Sequence, residues 1–307
     1  MSGFSHRALL YASPGEFVAA AGPYVREGAE AGDSVIAVTT RANVDALREE
    51  LGDLAEAVDF GSSEDWYGRS PWRTLRLYTR WLSRAPEGAN LRVLGEQAWL
   101  ARSDAERCEW QRYEAFANIT FASPRTKVVC TYDATHLPES IFERVYGTHP
   151  EVLYVDQLTS SKTFTDPAAF AAALDSTPLE PWNGPALEAE LDELRDLRIL
   201  LEEEASRAGL GVEHTADLAV AVNEVATNAL KHAGGRARVR IWTETAQVIC
   251  EVTDSGPGFS DPFTGHVPPK GRDAPGWGLW TARQLCDLVQ LRSGDDGTVV
   301  RLHMCIA

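Results

Sequence analysis

The chain is short of cations: 29 Lys and Arg stand against 45 Asp and Glu in 307 residues, a formal charge of −16. A surface of that sign repels phosphate backbones and anionic membranes, so direct nucleic-acid and membrane partners are not expected. The shortage is even, with 17 basic and 26 acidic residues up to position 180 and 12 and 19 beyond it, so no basic domain hides in the average. Cysteine is scarce too. Cys108, Cys130, Cys250, Cys286 and Cys305 are widely spaced and never form CxxC, which signals neither a disulfide framework nor a zinc cluster and fits reduced thiols. No run approaches the ~20 apolar residues of a membrane span, and the start, MSGFSHRALLYASPGEF, has no basic stretch ahead of a long apolar core. A soluble, cytoplasmic protein is expected. GxxxxGK[ST] is absent as well, so there is no Walker loop.

What is present suffices for sizeable cores. Apolar residues make up 44% of the chain, and its length favours two globular units over one. Residues 176–185, STPLEPWNGP, hold three prolines, a glycine and an asparagine, and read as a linker between domains at 1–175 and 186–307. Ahead of it, short apolar runs at 8–12, 34–38, 57–60, 91–96, 127–132 and 152–155 alternate with helical patterns at 14–29, 41–51, 72–82 and 104–119. That alternation predicts an α/β domain with a mainly parallel sheet. Beyond it, leucines at 187, 191, 194, 197 and 201 predict one amphipathic helix over 186–208, and a second helix is predicted over 214–232. Strand patterns follow at 236–244, 248–254 and 298–304, giving an α+β sandwich.

Three short motifs fall in order in the second half. Asn223-Glu-Val-Ala-Thr-Asn228-Ala-Leu-Lys-His232 places Glu224 and Asn228 four residues apart on one helix face. An amide oxygen suits Mg²⁺, and a carboxylate can orient or deprotonate a nucleophile. Asp254-Ser-Gly256-Pro-Gly258 follows an apolar strand, with glycines that allow close backbone approach and an aspartate able to accept from an exocyclic amine. Gly276-Trp-Gly278-Leu279-Trp opens a helix whose apolar pattern runs through Leu285 and Leu288, and bare amides at such an end attract phosphate. Singly, these motifs read as a solvated helix face, a tight turn and a weak GxG. Their combination is informative.

Together they resemble the N, G1 and G2 boxes of the gyrase/histidine-kinase ATPase superfamily (GHKL, the Bergerat ATPase fold), with Gly297-Thr298 similar to the pair that borders its adenine pocket. The resemblance implies ATP and Mg²⁺ as cofactors. It makes Glu224 the general base and Asn228 the magnesium ligand, with Asp254 on the adenine amine. It places His232, Gly256, Gly258, Gly276, Gly278, Leu279 and Thr298 around the nucleotide. Residues 259–275 would form the lid, with Lys270 or Arg272 near phosphate, although solvated loop charges are the plainer reading. Trp277 and Trp280 stand where smaller or aliphatic residues are common, and ordinary packing is expected of them. A sensor histidine kinase needs an acceptor histidine on a long helix before the N box. Residues 186–208 contain no His, and His214 is only ten residues from Glu224. The compact unit therefore looks like the RsbW/SpoIIAB-type anti-sigma factors, which bind a sigma factor and phosphorylate Ser or Thr on a STAS-domain partner. A nucleotide-gated binding module without transfer, and an atypical histidine-kinase-like protein, are the alternatives. The leucines of 186–201 are read as core in preference to a homodimer seam.

Residues 6–150 resemble the MEDS sensory domain, of RecA/KaiC-like architecture, through His6–Tyr11, Ser13–Phe17, Val25–Gly28, Trp66-Tyr67, Arg73, Gly95-Glu96, Tyr113-Glu114, Tyr132-Asp133 and His149-Pro150. The resemblance implies a small-molecule signal. Ligands of parallel sheets favour the carboxyl ends of strands, so His6, Tyr11, Glu96, Tyr132 and Asp133 are the candidate sensory pocket, with capping and core packing as the alternative. The histidines do not cluster in sequence, and no metal beyond Mg²⁺ is expected.

Overall fold

The computed structural model describes residues 3–99, 102–154, 157–191, 195–233, 236–269, 271 and 276–306, with backbone alone at 191, 195 and 196. The chain divides into two compact units, Met1–Phe170 and Ala171–Ala307.

The first unit runs β1 (Ser5–Tyr11), α1 (Pro14–Glu30), β2 (Ser34–Thr39), α2 (Arg41–Leu51), a 3-10 segment (Gly52–Ala57), β3 (Val58–Ser62), α3 (Ser63–Trp66), α4 (Pro71–Leu82), β4 (Leu91–Glu96), α5 (Asp104–Thr120), β5 (Thr126–Asp133), α6 (Glu139–Thr148), β6 (Glu151–Tyr154), β7 (Gln157–Ser160) and α7 (Pro167–Asp175), the last running past Phe170. Its sheet has the order β3-β2-β4-β5-β1-β6-β7. Every pairing is parallel except β6 with β7. The inner strands are near-continuous apolar runs because helices cover both faces of a parallel sheet. Helix starts follow local chemistry. Ser13 caps α1 at Glu16 N with Pro14 in the first turn, and Ser103 with Glu106 forms a reciprocal capping box on α5. Leu9, Phe17, Ala21, Val25, Val35, Leu47 and Leu94 form one buried cluster between α1, α2 and the sheet.

The second unit contains β8 (Leu187–Leu191), α8 (Arg195–Ala208), α9 (Val212–His232), β9 (Ala237–Glu244), β10 (Gln247–Asp254), α10 (Trp277–Leu285), β11 (Leu288–Gly294) and β12 (Gly297–Cys305). The sheet order is β11-β12-β10-β9-β8, with every pairing antiparallel. One face buries Val239, Ile241, Val248, Cys250, Val252, Val300 and Leu302 beneath Leu197, Leu201, Leu218, Val222, Val225 and Leu279 from the helices. This is the expected α+β sandwich, beside an α/β unit with a mainly parallel sheet.

Residues 176–185, read from the sequence as a linker, pack on the other face of this sheet. Trp182 stacks on Trp242 with ring centres 5.6 Å apart. Arg240 Nη2 donates to the Trp182 carbonyl (2.9 Å), and Arg301 Nη2 to that of Glu180 (3.1 Å).

Two sequence expectations are corrected. The predicted helix over 186–208 is a strand followed by a helix. Leu187, Ala189 and Leu191 alternate with Glu188 and Glu190, a period of two that suits an edge strand, and Glu188 accepts from Arg238 Nε of β9 at 2.9 Å. Leu197 and Leu201 are core, as expected, whereas Leu194 lies outside the described residues. The helix opened by Gly276 stops at Leu285, and Leu288 begins β11 instead of extending it. The Asp295-Asp296 turn returns β11 into β12, with Gly297 at φ +123, a conformation open to glycine.

Candidate functional site

Helix α9 buries Leu218, Val222, Val225, Ala226 and Ala229 on its inner face. Glu224 and Asn228 are half-buried at its border, one turn apart. Neither side chain is hydrogen-bonded to another described residue. Helix α10 crosses close beside them: a Cβ on Gly278 would stand 2.7 Å from Asn228 Nδ2 and 3.1 Å from Glu224 Oε2. Those distances admit hydrogen and nothing larger. The first and third motifs, fifty residues apart in sequence, therefore meet as one surface.

The second motif closes the next side. Asp254 ends β10 directly opposite Thr298 of β12. One of its carboxylate oxygens accepts the Gly256 amide at 2.8 Å, an Asx turn that leaves the other oxygen without a hydrogen bond to a described residue. Gly256 is held so close to the end of α9 that a Cβ would stand 3.1 Å from the carbonyl of His232, whose side chain is exposed. Gly258, at φ +63, packs against the Gly294 backbone, and Ser293 Oγ accepts the Phe259 amide (2.9 Å) while lying 3.0 Å from Thr298 Oγ1.

Gly276 is the N-cap of α10 in a left-handed conformation, φ +103 and ψ −6, and having no side chain it does not bond the first-turn amides; no acidic residue stands in that turn. Such an end attracts anions through its exposed amides and the helix dipole. Of the expected lid, 259–269 is a folded turn. Phe263 is buried, Asp261 Oδ1 accepts the Phe263 amide (2.9 Å), and Gly265, at φ +75, abuts the buried Leu279. Trp277 Nε1 donates to the Gly271 carbonyl at 2.9 Å, and Trp277 and Trp280 meet edge to face at 5.3 Å. Lys270 and Arg272 lie outside the described residues.

A family model for the histidine kinase-like ATPase domain matches residues 187–304, and one for the methanogen/methylotroph, DcmR sensory domain (MEDS) matches residues 5–150. The chain is a MEDS domain followed by a histidine kinase-like ATPase domain. No curated protein matches it. Similar solved structures include the RsbU and RsbW domains of Rv1364c from Mycobacterium tuberculosis, at 23% identity over 40% of this chain and 32% of that one, with a TM-score of 0.31. They also include the histidine kinase domain of a blue-light activated histidine kinase from Erythrobacter litoralis, at 22% identity over 35% and 62%, with a TM-score of 0.24. The catalytic domain of histidine kinase ThkA matches at 16% identity over 40% and 97%, with a TM-score of 0.27. This chain spans about a third of the first and under two thirds of the second. No described helix is long and apolar enough to cross a membrane.

In the ATPase domain, Gly278 thus lies against Glu224 and Asn228, Asp254 stands opposite Thr298, and Gly256 abuts the His232 carbonyl, whereas Leu279 belongs to the buried core. Magnesium is implied by the fold family, and the residues suit it: a carboxylate and an amide, both half-buried and both unengaged, offer the oxygen donors that a hard cation prefers.

Of the five residues expected to line a pocket in the MEDS domain, Tyr11 stands opposite Asp133 across β1 and β5 and bonds Glu96, while His6 lies toward the other end of β1. Tyr11 and Glu96 meet at the carboxyl ends of β1 and β4, joined by a short Tyr11 Oη–Glu96 Oε1 hydrogen bond. Thr39 Oγ1 donates to Glu96 Oε2, and Asn43 Nδ2 donates both to Glu96 Oε2 (3.0 Å) and to the Tyr11 hydroxyl (3.2 Å). Burial, and next the Glu96 carboxylate, push the Tyr11 phenol well above its ordinary pKa, so it stays a donor. Every strong group here is engaged, which makes it a sealed polar network. Tyr132 is buried and stacked on Trp99 at 6.2 Å. Asp133 bonds Thr135 and His136 in the turn after β5. His6 lies near the amino end of β1 and joins Glu114, Cys130 and His149 in a buried group. His6 and His149, far apart in sequence, meet in space. Sequence spacing gave no signal for that group or for the roles of Thr39 and Asn43.

Proposed function

We propose that this protein is an ATP-dependent anti-sigma factor and protein serine/threonine kinase. It binds a sigma factor and phosphorylates a hydroxyl on a STAS-domain partner, under control of the MEDS domain. The observation that carries the reading is the approach of Gly278 to both Glu224 and Asn228, which sets a glycine-capped helix start beside a carboxylate and an amide that bond no described residue. Bound Mg-ATP supplies the phosphoryl group and the charge neutralisation its transfer needs. Asn228 offers its amide oxygen to the ion. The second carboxylate oxygen of Asp254 accepts from the adenine amine, and the amides of the first turn of α10 face the phosphates. Glu224 takes the proton from the attacking hydroxyl on its carboxylate oxygen. That hydroxyl comes from the partner, consistent with His214 sitting in the first turn of α9, on the same helix as Glu224 and not on a separate acceptor hairpin.

The test is incubation of the full chain with Mg-ATP and a STAS-domain protein, followed by the acid stability of the label. Acid-stable phosphoserine or phosphothreonine on the partner, lost in Glu224→Ala with nucleotide binding kept, is the expected result. Nucleotide-dependent complex formation without label would favour a binding switch, and acid-labile phosphohistidine a histidine-kinase-like protein.

A further inference from the structure

The buried group in the MEDS domain has the donors, geometry and outer partners of a metal centre. His6 comes from β1, Glu114 from α5, Cys130 from β5 and His149 from the residue that ends α6. One ligating atom of each lies within 4.8 Å of all the others. His6 Nε2 is 3.3 Å from Cys130 Sγ and 3.6 Å from Glu114 Oε2, and His149 Nε2 is 3.4 Å from that same oxygen. Nitrogen, oxygen and sulfur donors arranged tetrahedrally about Zn²⁺ stand about 3.3–3.6 Å apart, given ligand bonds of about 2.0–2.3 Å.

The hydrogen bonds around the group settle which atoms point inward. His149 Nδ1 lies 2.9 Å from the Val145 carbonyl, which only accepts, so Nδ1 carries the proton and Nε2 presents a lone pair. Asn118 donates its amide to the Thr148 carbonyl (2.8 Å), which turns its oxygen to His6 Nδ1 at 3.1 Å and fixes the same tautomer there. Glu114 Oε1 accepts from Gln97. Two imidazole lone pairs and a carboxylate oxygen therefore face one another, and neither Glu114 Oε2 nor His149 Nε2 has a hydrogen-bond partner. The two histidine side chains are 0% exposed and that of Glu114 2%. Apart from the half-buried Cys130 S–H beside His6 Nε2, no donor of a described residue stands among these convergent acceptors, and a cation there relieves their repulsion. Imidazoles whose second nitrogen is tied to a carbonyl or amide are the usual outer arrangement of metal ligands.

The geometry points to a closed four-ligand site for a borderline-soft divalent transition ion, Zn²⁺, held by His6 Nε2, Glu114 Oε2, Cys130 Sγ and His149 Nε2. Binding replaces the Cys130 S–H bond by a sulfur–metal bond and releases that proton to solvent. With all four positions supplied by protein, the ion ties β1, β5, α5 and the end of α6 together.

Full-length protein stripped with chelator and titrated with ZnCl₂ tests this, with CoCl₂ as the spectroscopic probe. One equivalent of zinc per chain is expected. Cobalt should show tetrahedral d–d bands and a thiolate charge-transfer band that disappears in Cys130→Ser. Asn118→Ala, which touches no metal, should weaken zinc binding about 10–100-fold. Absence of stoichiometric zinc or of the cobalt bands in the wild type overturns the site. So does zinc binding unchanged in Cys130→Ser and Glu114→Gln, which would mark an adventitious ion. A ¹⁵N spectrum showing His149 as imidazolium in zinc-supplemented wild type would also overturn it, since a proton would then be the cation. The wild-type measurements stand even where a variant fails to fold.

Discussion

Glu96 and Glu224 are the same residue put to opposite uses. Glu96, at the end of β4, is buried and accepts from Tyr11, Thr39 and Asn43, so its charge is spent on holding three elements of the MEDS domain together. Glu224, on α9, is half-buried, hydrogen-bonded to no described residue, and faces a glycine that leaves room beside it. A satisfied carboxylate stabilises a fold, whereas an unengaged one beside a helix start is the kind that the proposed mechanism requires. The comparison breaks if the two respond alike to removal.

The largest expected separation is kinetic. Glu224→Ala should lower phosphoryl transfer by about 10²–10⁴-fold, measured by label incorporation, with the thermal midpoint nearly unchanged. Glu96→Ala should do the reverse. Stranding Tyr11, Thr39 and Asn43 should cost about 3 kcal/mol of MEDS-domain stability in urea, with nucleotide affinity preserved.

A buried titrating group sharpens the contrast inside the ATPase domain. His303 lies between Gln247 and Gln290, and burial, followed by Arg301, holds its pKa down at about 3. The unfolded chain binds the proton at its ordinary value of 6.5, so His303 contributes stability that is present above pH 6.5 and lost as pH falls toward 3. Between pH 6.5 and 5 the loss should be about 2 kcal/mol, and His303→Gln should flatten that part of the denaturation profile. Asn228→Ala should weaken Mg-ATP binding about tenfold, or about 1.4 kcal/mol by calorimetry. At the bottom of the scale, Arg198→Ala removes a 2.9 Å surface pair with Glu202 on α8 and should change stability by no more than about 0.5 kcal/mol.

Legibility followed sequence separation. Glu224 and Asn228 are one helical turn apart, and Asp254, Gly256 and Gly258 share a single turn, so each motif was visible locally, but alone they read as a solvated helix face and a tight turn, and only their order and the family resemblance marked them as a site. The parallel strands were legible locally: LRVLGE at 91–96, apolar around a single arginine and closed by Glu96, has the boundaries of β4. Where two periods overlapped, reading failed. Leucines at 187, 191, 197 and 201 fit a helix, and only the Leu-Glu-Ala-Glu-Leu alternation betrays the strand. Glu114 and His149 were out of reach as partners of His6, because a parallel sheet and two crossover helices bring positions more than a hundred residues apart to one point.

Calorimetric titration of Mg-ATP into wild type and Asn228→Ala tests the central claim most directly. Saturable binding to the wild type that the substitution weakens about tenfold, with the fold intact, is the predicted result. Equal binding by both proteins, or none by the wild type, would contradict a nucleotide site built on α9, Asp254 and Gly278.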